Sequence, residues 1–260
     1  MHGADHGPAV VLRRASRPGN RAAHRGASLV ASSNPAAPGI RMIVGLGNIG
    51  AEFARTRHNA GFWFVDRLAA RCGATFRAEK KFAGELARVA IGGQDIWLVK
   101  PATFMNLSGQ CVVAAALFYR VLPDQILVAH DELDLAPGDV RLKQGGGVAG
   151  HNGLKDIRAR LASADFWRLR IGIGHPRTLE LRQDVADFVL HPPRRDELQA
   201  IDGALERAES VIELAATGQF APAMTRLHTA APPPTPVAKA PRPAAKPAAP
   251  PEPGAGPEGT

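Results

Sequence analysis

The chain has 260 residues, 45 % of them hydrophobic and 22 % charged, enough for one full-sized core with length left over. No apolar run approaches the roughly 18 residues of a membrane span. Cys72 and Cys111 stand far apart and outside any ligand spacing, which fits a reducing compartment and leaves a disulfide framework or cysteine metal centre without support. The formal charge of +8 hints at a polyanionic partner, but much of it sits at the two ends, so a nucleic-acid site in the body has to be a local patch.

Residues 1–41 are Arg-rich, acid-poor and without periodicity. They read as a disordered, dispensable extension or a mis-assigned start, because Met42 stands directly before a strand-like run. A targeting segment is the other reading of that composition. Met42-Ile-Val-Gly-Leu-Gly47 is a short apolar strand entering a Gly-rich turn. Asn59 is placed to cap a helix over Ala60–Cys72, whose Phe62, Val65, Leu68 and Ala69 recur at helical spacing. Ala83–Ile91 and Gln94–Lys100 flank Gly92-Gly93, a two-residue hairpin signal. Ser108 opens an apolar helix to about Val121, stopped by Pro123. Gln125–His130 is a buried strand ending in Asp131-Glu-Leu-Asp134, and Asp139–Lys143 is another. Gly145-Gly-Gly147 leads to a helix over Asn152–Leu161, Trp167–Ile173 alternates as a strand, and Pro193–Thr217 reads as one long helix. Residues 229–260 are Pro, Ala and Gly with scattered charge, too little to bury against the entropy of ordering.

Strands alternating with helices, plus one hairpin, give an α/β fold: a single-domain three-layer sandwich around a mixed, mostly parallel sheet over residues 42–228, with disordered N- and C-terminal extensions. In such sheets ligands bind beyond the carboxyl ends of the strands. Asn48, Asn106, Asp131 and Asn152 all fall where an element gives way to a loop. Gly45-Leu-Gly47-Asn-Ile-Gly50 fits the dinucleotide fingerprint, so a nicotinamide oxidoreductase is the rival reading. Two features count against it: the next helix starts about ten residues late, and Asp66 lies inside a helix pattern instead of ending a second strand.

There is no G-x-S-x-G elbow, no H-E-x-x-H and no Cys/His cluster, so serine-nucleophile and zinc chemistries lack support. His130-Asp131-Glu132-Leu-Asp134 could be taken for a metal cluster, but neighbours on a strand face opposite ways, and acids around a turn explain it as well. What remains is His58 in Thr56-Arg-His-Asn59 with Asn48, Asn106 and Asn152. Singly, each is an ordinary cap or turn residue. Together, uncharged donors and acceptors at loop mouths suit gripping an amide backbone and polarising a carbonyl.

Six segments occur in order: Gly-Leu-Gly-Asn-x-Gly, Thr-Arg-His-Asn-Ala-Gly, Phe-Met-Asn-Leu-Ser-Gly, His-Asp-Glu-Leu-Asp, Gly-Gly-Gly-x-x-Gly-His-Asn-Gly-Leu-Lys and Arg-Leu-Arg-Ile-Gly-Ile-Gly-His-Pro. From Met42 to His228 the chain thereby resembles bacterial peptidyl-tRNA hydrolase. The resemblance implies metal-free, cofactor-free hydrolysis of the ester between a peptide and the 3′-terminal ribose of tRNA, by a cytoplasmic monomer with no membrane association. His58 would be the general base, Asp131 its orienter, and Asn152 would position the water. Asn48, Phe53, Met105, Asn106 and His151 would line the substrate. Arg141, Lys143 and Arg170 would hold the tRNA acceptor end, Arg141 and Lys143 from one face of a strand. A related branch of the family binds RNA without hydrolysing it, and intact His58 and Asp131 argue against that. The chain departs from the pattern at Ile49, where Pro is usual, at Phe53, where Tyr is common, and at Val148-Ala149, in a stretch usually richer in Gly and His.

Overall fold

The computed structural model describes residues 38–229. Of the ends expected to be disordered, 1–41 and 229–260, residues 1–37 and 230–260 fall outside them, whereas Ile40 is described and buried, its N–H donating to the Ala215 carbonyl at 3.1 Å. Seven strands form one sheet in the order β2-β3-β4-β1-β5-β7-β6. They are β1 (Met42–Gly45), β2 (Arg77–Glu79), β3 (Gly84–Ile91), β4 (Gln94–Pro101), β5 (Ile126–Glu132), β6 (Val140–Gln144) and β7 (Trp167–Gly172). The central strands β4, β1, β5 and β7 pair parallel, and antiparallel pairs close both sides. The parallel core explains the uninterrupted apolar run of β1. Ile43 enters one core layer while Met42 and Val44 enter the other, so every residue of the strand is buried.

One face carries α1 (Ala60–Arg71), α4 (Val185–Val189), α5 (Arg195–Glu209), α6 (Ile212–Ala216) and α7 (Phe220–Thr229). The other carries α2 (Ser108–Tyr119) and α3 (Asn152–Leu161). This is the mixed-sheet, three-layer α/β fold that the sequence implies. The β3–β4 hairpin turns at Gly92 and Gly93, whose φ angles of 57° and 73° need glycine.

Two expectations give way, and two elements are unforeseen. The single helix over Pro193–Thr217 is two helices, α5 and α6. The Ser210 hydroxyl donates to the Arg207 carbonyl, competing with the backbone ladder, and the chain bends so that Val211 and Ile212 reach the core. Past Thr217, Gly218 at φ 77° ends α6 and α7 begins. Asn59 makes no side-chain cap on α1 and is used elsewhere. Two short elements, β2 and α4, carry too few residues to show a period.

Candidate active site

Strands β1 and β5 are parallel neighbours, with Gly45 opposite Ala129. Their carboxyl ends therefore open on the same edge. The loop after β1 returns through a 3-10 turn, Arg57–Asn59, and lays His58 against Asp131 at the end of β5. His58 Nδ1 lies 2.9 and 3.1 Å from the two carboxylate oxygens. His151, which caps α3, puts Nε2 3.0 Å from the same Oδ1. A carboxylate only accepts, so both imidazoles donate to it. His151 is left with Nδ1 facing the Leu154 amide, while His58 Nε2 has no hydrogen bond among the described residues.

Burial alone would raise the Asp131 carboxyl. The charges and hydrogen bonds of the two imidazoles override it and hold the group well below the usual carboxylate range. Burial also pulls His58 down, but the charge and hydrogen bond of Asp131 outweigh it, so His58 titrates above its ordinary value. His130 behaves in the opposite way. Burial first, and the neighbouring His151 second, lower its pKa to about 3. Its Nδ1 donates to the Asp131 carbonyl at 2.7 Å, and its buried Nε2 has no partner.

His58, His130, Asp131, His151 and Asn152 line a cavity of about 290 Å³. Adjacent strand residues share it because it wraps over the end of β5, where alternation no longer separates faces. Its far wall is α4, through Val185, Ala186 and Val189. Arg57 ties that wall to the turn holding His58. Its guanidinium donates to the Phe188 and His191 carbonyls and pairs with Glu197 at 2.7 Å, with both charged groups buried. Sequence patterning gave no sign of Arg57, Glu197 or α4, since each matters through a long-range contact. The loop between β6 and α3 reverses through Gly145, Gly146 and Gly150 at positive φ, and Ala149 at φ 45° shares that strain without glycine's freedom.

The Asn residues divide. Asn59 brackets Asn48, accepting its amide N–H at 2.8 Å and donating to its carbonyl at 3.0 Å. Asn48 Oδ1 accepts the Met105 N–H at 3.0 Å, leaving its Nδ2 as a donor. Asn48 and Asn59 line a second cavity of about 330 Å³ with Phe62, Trp63 and Lys100. Met105 is buried against α3, where a Cβ on Gly153 would strike its sulfur. Asn106 is exposed on the 3-10 turn after Met105 and lines neither cavity, and neither does half-buried Phe53.

On β6, Val140 and Leu142 enter the core, which turns Arg141 and Lys143 to the other face. Register with β7 sets Arg170 beside Arg141 and Arg168 beside Lys143. Arg170 is committed to Glu132 at 2.8 Å, and Arg168 donates to the carbonyls of Gly147 and Gly145. The side chains of Arg141 and Lys143 make no hydrogen bond or ion pair among the described residues. Arg168, absent from the residues singled out in the sequence, thus pins the glycine loop.

The dinucleotide reading fails on packing. A Cβ at Gly45 would meet the Gly61 carbonyl at 2.4 Å, and one at Gly47 would meet the Phe62 ring at 2.7 Å. These glycines let α1 close on β1, and the helix starts at Ala60, too late to offer its N-terminus to a pyrophosphate. Ligand atoms of His58, Asp131 and His151 lie within 4.8 Å of one another, but a cation there would have to displace the imidazole N–H protons that the two histidines donate to the carboxylate. No helix among the described residues is long and apolar enough to cross a membrane.

A sequence model of the family described as peptidyl-tRNA hydrolase matches residues 42–235. The chain is 59 % identical over 191 residues to the peptidyl-tRNA hydrolase of Bordetella avium (strain 197N), which covers 74 % of this chain and 92 % of that one. It is 56 % identical over 197 residues to that of Cupriavidus pinatubonensis, covering 74 % and 99 %. Among solved structures, the peptidyl-tRNA hydrolase of Acinetobacter baumannii superposes with a TM-score of 0.70 at 48 % identity, over 73 % of this chain and 95 % of that one.

Proposed function

Because the chain belongs to the peptidyl-tRNA hydrolase family, its reaction is hydrolysis of peptidyl-tRNA, and we propose that His58 is the base that drives it. One observation carries this reading. Asp131 accepts a hydrogen bond from the Nδ1–H of His58, which leaves the lone pair on Nε2 of a ring that lines the cavity. His151, donating to the same carboxylate, fixes Asp131 in place and commits its own Nε2–H in doing so.

Water held by Asn152 gives a proton to His58 Nε2 as its oxygen attacks the ester carbonyl. The tetrahedral centre then collapses, the bond to the ribose 3′ oxygen breaks, and His58 returns the proton to that oxygen. Asn48 offers Nδ2 to the peptide side, held in place by Asn59 and the Met105 amide. Asn106 meets substrate from the exposed turn. Arg141 and Lys143 engage phosphates at the acceptor end, positioning the tRNA without entering the chemistry. The reading carries with it a monomer acting in the cytoplasm.

The test is release of free tRNA from N-acetyl-aminoacyl-tRNA by the wild-type chain and by His58→Ala. The variant should fold and lose about 10²–10⁴ in rate, the usual range for a lost general base. Asp131→Asn should cost less, since it removes an orienter and keeps the base. A folded His58→Ala protein at full rate would sink the mechanism.

A further inference from the structure

Across the sheet, Arg141 and Lys143 on β6 lie two strands to one side of β5, and β4 lies two strands to the other. A substrate laid out straight, with its tRNA at β6 and its ester at His58, points its peptide toward β4. Strands β4, β1 and β5 are parallel, so β4 ends on the edge where the catalytic cavity opens. The second cavity, of about 330 Å³, lies there, between Lys100 and Pro101 at the end of β4 and the first turns of α1. His58 and Asn59 are neighbours in one turn, yet His58 lines the first cavity and Asn59 the second, so the two cavities flank that turn.

This second cavity holds an uncommitted donor and a surplus of negative charge. Asn48 is 8 % exposed, and with its Oδ1 bound to the Met105 N–H its Nδ2 has no partner among the described residues. Half-buried Phe62 and Trp63 form an aromatic wall, the Trp63 indole N–H donating to the Ala54 carbonyl at 2.8 Å. The charged residues of the lining are Asp66, Glu85 and Lys100, two carboxylates against one ammonium. Register sets Glu85 opposite Lys100, whose Nζ lies 3.2 Å from Glu85 and 2.8 Å from Asp66. Both carboxylates are about half exposed, within reach of a ligand.

We propose that this cavity is a subsite for a basic side chain of the peptide, arginine above all, about three residues upstream of the ester. This rests on the reading of the chain as a peptidyl-tRNA hydrolase whose peptide passes Asn48, and adds to it a sequence preference on the peptide. At about 4.8 Å per strand, β4 lies roughly 10 Å from β5, which an extended peptide covers in about three residues. A guanidinium suits the lining, since its plane stacks on Phe62 or Trp63 while its fork meets Asp66 or Glu85. Asn48 Nδ2 donates to a peptide carbonyl on the way. An acidic residue in the same place meets the surplus negative charge and is disfavoured. Because the carboxylates are half exposed, the preference is modest.

The experiment uses the full-length chain and three N-acetyl-tetrapeptidyl-tRNAs: one of four alanines, and the same peptide with Arg or Glu as the third residue from the ester. KM should be roughly two- to fivefold lower for Arg than for Ala, and higher for Glu, with kcat unchanged. Raising the salt should narrow the spread. Asp66→Asn and Glu85→Gln each remove the surplus charge and leave Lys100 one carboxylate. In either variant the KM values for Arg and Ala should come together. The all-alanine substrate should be turned over as in the wild type, which also shows that the fold is kept. Equal KM for the three substrates in the wild-type chain would overturn the subsite. So would an Arg preference that survives both substitutions, which would place it elsewhere on the surface. So would the same loss on all three substrates, which would make these carboxylates a support for the loop of Asn48. A wild-type chain that releases tRNA from none of the three would remove the underlying function and this subsite with it, an outcome plainly distinct from the others.

Discussion

At the scale of single residues, the centre is a carboxylate shared by two imidazoles with a third beneath. The arrangement sets a pH dependence whose sign follows from its causes. His58 acts as a base only when neutral, and Asp131 raises its pKa above 6.5. The acid limb of kcat/KM should therefore lie above that value. In Asp131→Asn the raising charge is gone and burial, which lowers the pKa, remains. The limb should then move to lower pH even as the rate falls, and a pH profile of both proteins checks this. A limb that stays in place would assign it to another group. The same pair has opposite effects on stability. The raised His58 contributes below its ordinary pKa and loses that as pH rises through the raised value. The depressed Asp131 contributes above the ordinary carboxylate range and loses that as pH falls.

At the scale of elements, β5 and β6 divide the work. The end of β5 holds Asp131 against His58, and β6 offers cations on the opposite face from its core residues. Arg141→Ala with Lys143→Ala should weaken whole peptidyl-tRNA mainly through KM, because phosphate contacts position the substrate and leave the chemical step alone. Hydrolysis of a blocked amino acid on a short 3′ fragment should hardly change. Equal losses on both substrates would mean that these residues support the neighbouring glycine loop instead. Arg170 should behave differently from the other two: its removal strands Glu132, which is buried and has no other ion-pair partner among the described residues.

At the scale of the whole molecule, stability in acid should turn on His130. It is 1 % exposed and its pKa is lowered to about 3, so the folded protein keeps it neutral. The unfolded chain protonates it near the ordinary value of 6.5. Between those two values the unfolded state binds more protons, so stability falls as pH falls through that window, by up to about 5 kcal/mol from this group. Asn in its place can donate to the Asp131 carbonyl without titrating. Denaturant melts of wild type and His130→Asn at pH 7 and pH 4.5 should show a smaller acid loss in the variant. Parallel losses would assign acid unfolding to other groups.

The α/β class, the Gly92-Gly93 hairpin and the bounds of α3 are legible in the amino-acid order, because local propensity and apolar period speak directly there. So is the pairing of His58 with Asp131, 73 residues apart, through the company of six ordered motifs. What the neighbouring side chains touch is legible only once the chain is folded. Asn59 stands where a helix cap belongs, yet it commits both amide atoms to the backbone of Asn48. His151 reads from its motif as a substrate contact, yet it gives Nε2 to Asp131. Arg57 and Glu197, 140 residues apart, form a buried pair that binds α4 to the turn carrying His58. Helices and turns arise from interactions a few residues long, which a sequence shows as spacing. A partner across the sheet is chosen by the register of β1 against β5 and by the helices packed above them, and spacing along the chain carries no record of that choice.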